Sequence, residues 1–135
     1  MAIAQEPIIQ LMNNVKAPYN INKLTIDIAS KTFDDLSIFR SNVQILLKER
    51  DFLQEELRKF SAVEKIFPSQ ANYLLFRIAK AKEIYLAVAD RGVVCRFRGT
   101  EPHCDSCLRV TVGTHEENVK FISLLKEVAG EIGVR

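Results

Sequence analysis

Three arginines stand at alternate positions in two short apolar runs. Arg96 and Arg98 lie in Val93-Val94-Cys95-Arg96-Phe97-Arg98, and Arg109 lies in Cys107-Leu108-Arg109-Val110-Thr111-Val112. Successive side chains of a strand point to opposite faces. Val94, Arg96 and Arg98 therefore share one face of their strand, and Cys107, Arg109 and Thr111 share one face of the other. If helices cover the opposite face, two or three guanidinium groups converge on open sheet surface. The planar guanidinium fork suits bidentate binding of a carboxylate or a phosphate. Pattern alone also fits arginines that merely keep a solvent-facing sheet soluble.

His103-Cys104-Asp105-Ser106-Cys107, with Cys95 upstream, is the second cluster. Cys95, His103, Cys104 and Cys107 could in principle supply the ligands of a zinc site, but a single Cys-x-x-Cys lacks the second pair that would make one convincing. A redox Cys-x-x-Cys opens a helix, whereas this one runs into a strand. The cluster is therefore read as small thiols in and beside a strand, and no metal is expected. His115 falls in the first turn of a helix, where a histidine is ordinarily a solvated residue. There is no Ser-His-Asp arrangement, no paired-carboxylate constellation and no glycine loop for a phosphate. The residues point to an anion-binding face and to no catalytic residue in this chain.

The elements that must position these groups are legible from periodicity. Ile8, Ile9, Leu11, Met12 and Val15 form the apolar stripe of a helix that stops at Lys16-Ala17-Pro18, because the residue before a proline is pushed out of helical geometry. Beginning almost at residue 1 without a cap, it has the look of the end of a longer helix. Ile21–Phe33 predicts a short helix with Leu24, Ile28 and Ala29 inward. Asp34 or Asp35 then caps a long helix to about Phe60. Its apolar positions Leu36, Phe39, Val43, Leu46, Leu53, Leu57 and Phe60 are widened by Ile38, Ile45 and Phe52, which favours packing on a sheet or on other helices over a coiled-coil seam. Val63–Phe67, Asn72–Ile78, Val93–Arg98 and Cys107–Val112 read as strands, and Ala79–Ala89 as a helix. Thr114-His115-Glu116-Glu117 is a capping box opening a helix that buries Phe121, Ile122, Leu125 and Val128 and stops at Gly130. The order predicts an α+β fold: a small mixed or antiparallel sheet of about four strands, covered on one face by helices, with further helices at the N-terminus.

Composition narrows the function classes. Hydrophobic residues at 47% and charged residues at 27% are those of an ordinary globular protein. A net charge of +2 is far from the excess of a nucleic-acid binder or an acidic-membrane binder. No apolar run approaches the length of a membrane span, and the first residues carry no signal peptide. Three cysteines without an export signal read as reduced thiols, so the expected compartment is the cytoplasm.

Several separated motifs agree with one family in order and spacing. Lys16-Ala17-Pro18-Tyr19-Asn20-Ile21-Asn22 resembles the segment after the interdomain helix of histidinol-phosphate aminotransferases. Ser69-Gln70-Ala71-Asn72-Tyr73-Leu74-Leu75 resembles the first long strand of their small domain. Gly92-Val93-Val94-Cys95-Arg96-Phe97-Arg98-Gly99 and Cys107-Leu108-Arg109-Val110-Thr111-Val112-Gly113-Thr114 resemble the late strand pair. The likeness is collinear from about Ile8 to Val128 and covers only the C-terminal small domain.

The resemblance implies that residues 1–15 are the end of the interdomain helix and 16–135 the small domain. It implies a parent transferase of histidine biosynthesis that uses pyridoxal phosphate and works as a homodimer. The cofactor would sit in an N-terminal large domain, with none expected in this chain. Ser30-Lys31-Thr32-Phe33 is a decoy for the Schiff-base lysine: it lies downstream of the interdomain helix and lacks the family's following Leu-Ala-Gly. Two substrate-binding residues carry over. Arg109 matches the arginine that holds the substrate's anionic end, and Arg96 a second one that helps grip a substrate phosphate. Arg98 has no counterpart role. The same arginines would serve a sibling aminotransferase or decarboxylase for another phosphorylated or aromatic amino acid, or a phosphometabolite-binding module without turnover.

Overall fold

The computed structural model describes residues 3–17 and 21–134. They fall into two compact units, Met1–Ile38 and Phe39–Arg135. In the first, α1 (Glu6–Val15) carries Pro7 in its opening turn, where the missing N–H has no helical partner to lose. It ends with the Lys16 N–H bonded to the Met12 carbonyl. Asn22 caps α2 (Lys23–Asp34), its side chain accepting from the Thr25 N–H at 2.8 Å. Neither helix contains a buried residue. Leu24, Ile28 and Ala29, expected to face inward, are exposed. The apolar spacing is real, but spacing specifies a stripe and not the surface that would cover it. The expected turn at Pro18-Tyr19-Asn20 lies outside the described residues.

The long helix α3 (Ser37–Arg58) begins where the Asp35 carboxylate accepts from the Ser37 backbone N–H at 2.8 Å. That bond holds the Asp35 carboxyl below its ordinary pKa. Asp34, the other candidate cap, is the last residue of α2. The wide apolar stripe splits along the helix. Leu53 and Leu57 are fully buried and Leu46 packs partly against them, whereas Ile38, Phe39 and Ile45 stay exposed. The expected packing on a sheet or on other helices describes only the C-terminal half.

Four strands make one antiparallel sheet in the second unit: β1 (Val63–Ile66), β2 (Tyr73–Ile78), β3 (Arg96–Phe97) and β4 (Cys107–Thr111), in the order β1-β2-β4-β3. Two helices complete the unit, α4 (Ala81–Asp90) and α5 (His115–Ile132). Period-two burial is clean in β2, where Leu74, Phe76 and Ile78 are buried while Tyr73, Leu75 and Arg77 are not. The buried side meets Leu108 and Val110 of β4, Ile84 and Val88 of α4, Phe121, Leu125 and Val128 of α5, and Leu53 and Leu57 of α3. Helices thus cover one face, as the α+β reading expects, and the other face stays open.

Three boundaries differ from the sequence expectation. The third strand shrinks from Val93–Arg98 to Arg96–Phe97. Gly92, at φ 80°, and Val93 donate their N–H groups back to the Ala89 and Val88 carbonyls at 2.9 and 3.2 Å, so the chain is still closing α4 there. Helix α4 starts at Ala81 rather than Ala79, because Lys80 sits in the left-handed region at φ 53°. Helix α5 runs through Gly130 to Ile132, and Gly133, at φ 76°, takes the left-handed closing position. An interior glycine costs only about 1 kcal/mol, and Val134 is buried beyond it.

Helix α5 begins with the expected capping box: Thr114 Oγ1 accepts from the Glu117 N–H at 3.3 Å and Glu117 Oε2 from the Thr114 N–H at 2.8 Å. A Cβ at Gly113 would stand 2.5 Å from that carboxylate oxygen, so a side chain there would displace Glu117 from the box. Behind the box, Asn118 is 2% exposed. Its Nδ2 donates to Glu49 Oε2 at 3.0 Å and to the Gly113 carbonyl at 3.1 Å, and its Oδ1 accepts from the Gly113 N–H at 3.0 Å. One side chain therefore ties α5, the end of β4 and α3 together. Asn118→Ala should destabilise the chain by about 2–3 kcal/mol, since it strands buried partners. Asn118→Asp should cost at least as much at neutral pH by setting a second carboxylate against Glu49; chemical denaturation measures both.

Burial pushes the Cys95 thiol up to about 11. The native state then holds a proton that the unfolded chain releases at lower pH. Stability from this group is full below the ordinary thiol value and is lost as pH rises toward about 11. Between mildly alkaline pH and that value, the unaltered chain should lose more unfolding free energy than Cys95→Val, as read from denaturant midpoints.

Candidate functional site

The open face of the sheet is built by the odd positions of β2, by Arg109 and Thr111 of β4 and by Arg96 of β3, while Cys107 at its margin is buried. Across the ladders, Leu75 is opposite Arg109, Arg109 opposite Arg96, Tyr73 opposite Thr111, and Arg77 opposite Cys107. Directly opposed residues of an antiparallel pair have Cβ atoms about 5 Å apart, and like charges so placed repel. Arg96 and Arg109 are such a pair. Among the described residues, no carboxylate is within ion-pair distance of either, whereas Arg98 is paired with Glu101 at 2.8 Å. The structure thus divides the three arginines grouped in the sequence: two stand side by side with their charges uncompensated, and the third is neutralised along its own loop. Val94, expected on the same face of the strand, precedes the ladder and is exposed.

Two neighbours of this pair were not singled out from the sequence. The Tyr73 ring centroid is 5.0 Å from Arg109 Cζ. Arg77 donates through Nε to the Asp105 carbonyl at 3.0 Å and through Nη2 to the His103 carbonyl at 3.4 Å. It thereby holds the β3–β4 connection, in which His103 and Ser106 adopt left-handed backbone at φ 63° and 55°. Period two in Tyr73-Leu74-Leu75-Phe76-Arg77 puts both side chains on one face, but only the β2–β4 register puts that face beside Arg109.

The remaining candidates come apart. Cys95 and Cys107 are buried and Cys104 half-buried, and burial raises the Cys107 thiol while Arg77 pulls it back. Among the described residues, no three histidine, cysteine or acidic side chains gather closely enough to hold a metal ion. His115 is exposed, as expected of a first-turn residue, with Nδ1 3.3 Å from the Glu49 carboxylate and its ring centroid 4.7 Å from that of Phe52. Lys31 stands on the exposed surface of α2, without the desolvation that activates a Schiff-base lysine. Two guanidinium groups side by side on an open sheet face can bind an anion.

The family described as Aminotransferase class I and II matches residues 1–125. A histidinol-phosphate aminotransferase of Flavobacterium johnsoniae is 37% identical over 123 residues, covering 91% of this chain and 35% of its own length. One of Cytophaga hutchinsonii is 38% identical over 125 residues, covering 93% of this chain and 36% of its own. Among solved structures, the histidinol-phosphate aminotransferase from Clostridium acetobutylicum has the same fold, with a TM-score of 0.83 at 24% identity over 93% of this chain and 39% of that one. The chain therefore spans a little over a third of the length of the curated relatives it matches. No helix among the described residues is long and apolar enough to cross a membrane. A family match across residues 1–125, supported by relatives 37% identical over 91% of the chain, establishes that this chain belongs to the class I and II aminotransferases.

Proposed function

We propose that this chain is the substrate-gripping small domain of a histidinol-phosphate aminotransferase. Residues 1–15 would be the end of the interdomain helix and 16–135 the domain itself. The parent reaction is amino transfer between L-histidinol phosphate and 2-oxoglutarate, giving imidazole acetol phosphate and glutamate. Pyridoxal phosphate belongs to the N-terminal large domain, and the whole works as a cytoplasmic homodimer. The observation that carries the reading is the uncompensated Arg96–Arg109 pair on the open sheet face. Opposed cations destabilise a sheet, and a bound anion removes that repulsion. A phosphate monoester suits the pair best, because its dianion can engage two guanidinium forks at once.

The two arginines divide the work. Arg109, in the interior strand β4, grips whichever anionic end the substrate presents. Arg96, on the two-residue edge strand, adds the second fork that a phosphate needs and a carboxylate can do without. In the enzyme that joins this chain to its large domain, Arg109→Ala should lower kcat/KM by roughly 2–4 kcal/mol of transition-state stabilisation. Arg96→Ala should cost less, and more for histidinol phosphate than for glutamate. Equal losses on the two substrates would remove Arg96 from the phosphate clamp.

The division of labour gives a second expectation. The 135-residue chain, supplied with pyridoxal phosphate, glutamate and imidazole acetol phosphate, should form no histidinol phosphate. Turnover that disappears in Lys31→Ala would overturn the assignment of the cofactor to another domain.

A further inference from the structure

The segment Ser69-Gln70-Ala71-Asn72-Tyr73 leads into β2 beside Arg109 and is held along its length. Ser69 Oγ donates to the Tyr73 carbonyl at 2.6 Å and accepts from the Ala71 N–H at 3.2 Å. Arg50 of α3 donates to the Ala71 carbonyl at 3.4 Å, and the Val112 N–H donates to the Asn72 carbonyl at 2.9 Å. The backbone position of Tyr73 is thus fixed from α3 and from the end of β4. Opposite Thr111, Tyr73 is the diagonal neighbour of Arg109 on the open face, within reach of a long side chain. Its ring centroid is 5.0 Å from the guanidinium carbon.

We propose that Tyr73 is a positioning residue for the anion site, its ring face supporting the Arg109 guanidinium and holding it beside Arg96; this rests on the reading of the two arginines as an anion clamp. Arg109 needs such a support. Repulsion from Arg96 drives the two guanidinium groups apart, and a long side chain on an open face has rotamer freedom to lose before it can bind anything. A ring face attracts the cation through its quadrupole. It does so without occupying an N–H, which leaves all five donors of the guanidinium for a ligand. Arg77 shows the contrast: it is held by two backbone carbonyls, and its Nε and Nη2 are already engaged. Among the described residues, neither the N–H groups of Arg109 nor the Tyr73 hydroxyl takes part in a hydrogen bond. The support therefore lies in the ring and not in the hydroxyl.

The test follows the arginine Nε–H signals of the 135-residue chain by nuclear magnetic resonance, with inorganic phosphate as the probe. The Arg109 signal should carry a ring-current shift that survives Tyr73→Phe and disappears in Tyr73→Leu. Phosphate affinity should be retained in Tyr73→Phe and fall about two- to tenfold in Tyr73→Leu. Tyr73→Ile, β-branched and suited to a strand, repeats the ring deletion should the leucine variant lose its fold. A ring-less variant that keeps both the signal and the affinity overturns the proposal, and so does a phenylalanine variant as weak as leucine. Arginine signals of the unaltered chain that ignore phosphate overturn the anion clamp itself. The positioning role falls with it, and a surviving ring-current shift would then mark a packing contact alone.

Discussion

Strand β4 hydrogen-bonds to β2 on one side and to β3 on the other, and both ladders keep the same parity of residues facing out. Because side chains alternate, a slip of one residue in either ladder would send Arg109 or its neighbours into the core. The core forbids this: Leu74, Phe76, Leu108 and Val110 fill it from the sheet side, and α3, α4 and α5 close it from the other. Apolar burial beneath the sheet therefore sets the geometry of the charged surface above it. Arg96 and Arg109 are side by side because Phe97 and Leu108, the next opposed pair, both belong to the apolar side.

The repulsion built into that surface is tolerated because other parts of the unit are well satisfied. No buried side-chain nitrogen or oxygen among the described residues lacks a hydrogen-bond partner. Asn118, the one buried polar side chain among them, knots the end of β4 to α5 and α3. Arg91 reaches from the end of α4 to Glu127 and Glu131 of α5, and Lys80 Nζ donates to the Ile132 carbonyl at 2.9 Å. The exposed ion pairs contribute little each, but they tie helix ends to one another on the side away from the arginines. Of the three left-handed non-glycine residues among those described, Lys80 opens α4, and His103 and Ser106 lie in the β3–β4 connection that Arg77 secures.

Much of this was legible in the residues. Period-two alternation in Asn72–Ile78 and Cys107–Val112 indicated both strands, each one residue longer than observed, and their faces except at Cys107, which is fully buried. The Thr114–Glu117 spacing indicated the start of α5 to the residue. Boundaries failed where a local backbone choice overrode pattern. Gly92 and Val93 complete α4 rather than begin a strand, and Gly130 continues a helix that Gly133 ends. The grouping of arginines on one sheet face was legible, but which of them stand uncompensated was not. Alternation grouped Arg98 with Arg96, yet the turn after Arg98 brings Glu101 within 2.8 Å of it. Tyr73 and Arg77 went unassigned because their place beside Arg109 depends on strand order, which no local pattern encodes. The inward face expected of Leu24 and Ile28 failed for a related reason: periodicity says which side of a helix is apolar, and only a neighbour can bury it.

The brevity of β3 has a consequence for how a ligand arrives. Two residues long and at the margin of the sheet, it leaves Arg96 with a strand on one flank only, while Arg109 has strands on both. Arg96 is exposed and Arg109 half-buried. An approaching anion thus meets a graded surface, first a cation reachable from the side as well as from above, then one reachable only from above and backed by an aromatic ring. On the proposed anion-clamp reading, capture at the rim followed by transfer inward would let the first encounter be loose in orientation and leave the final pose to the second arginine.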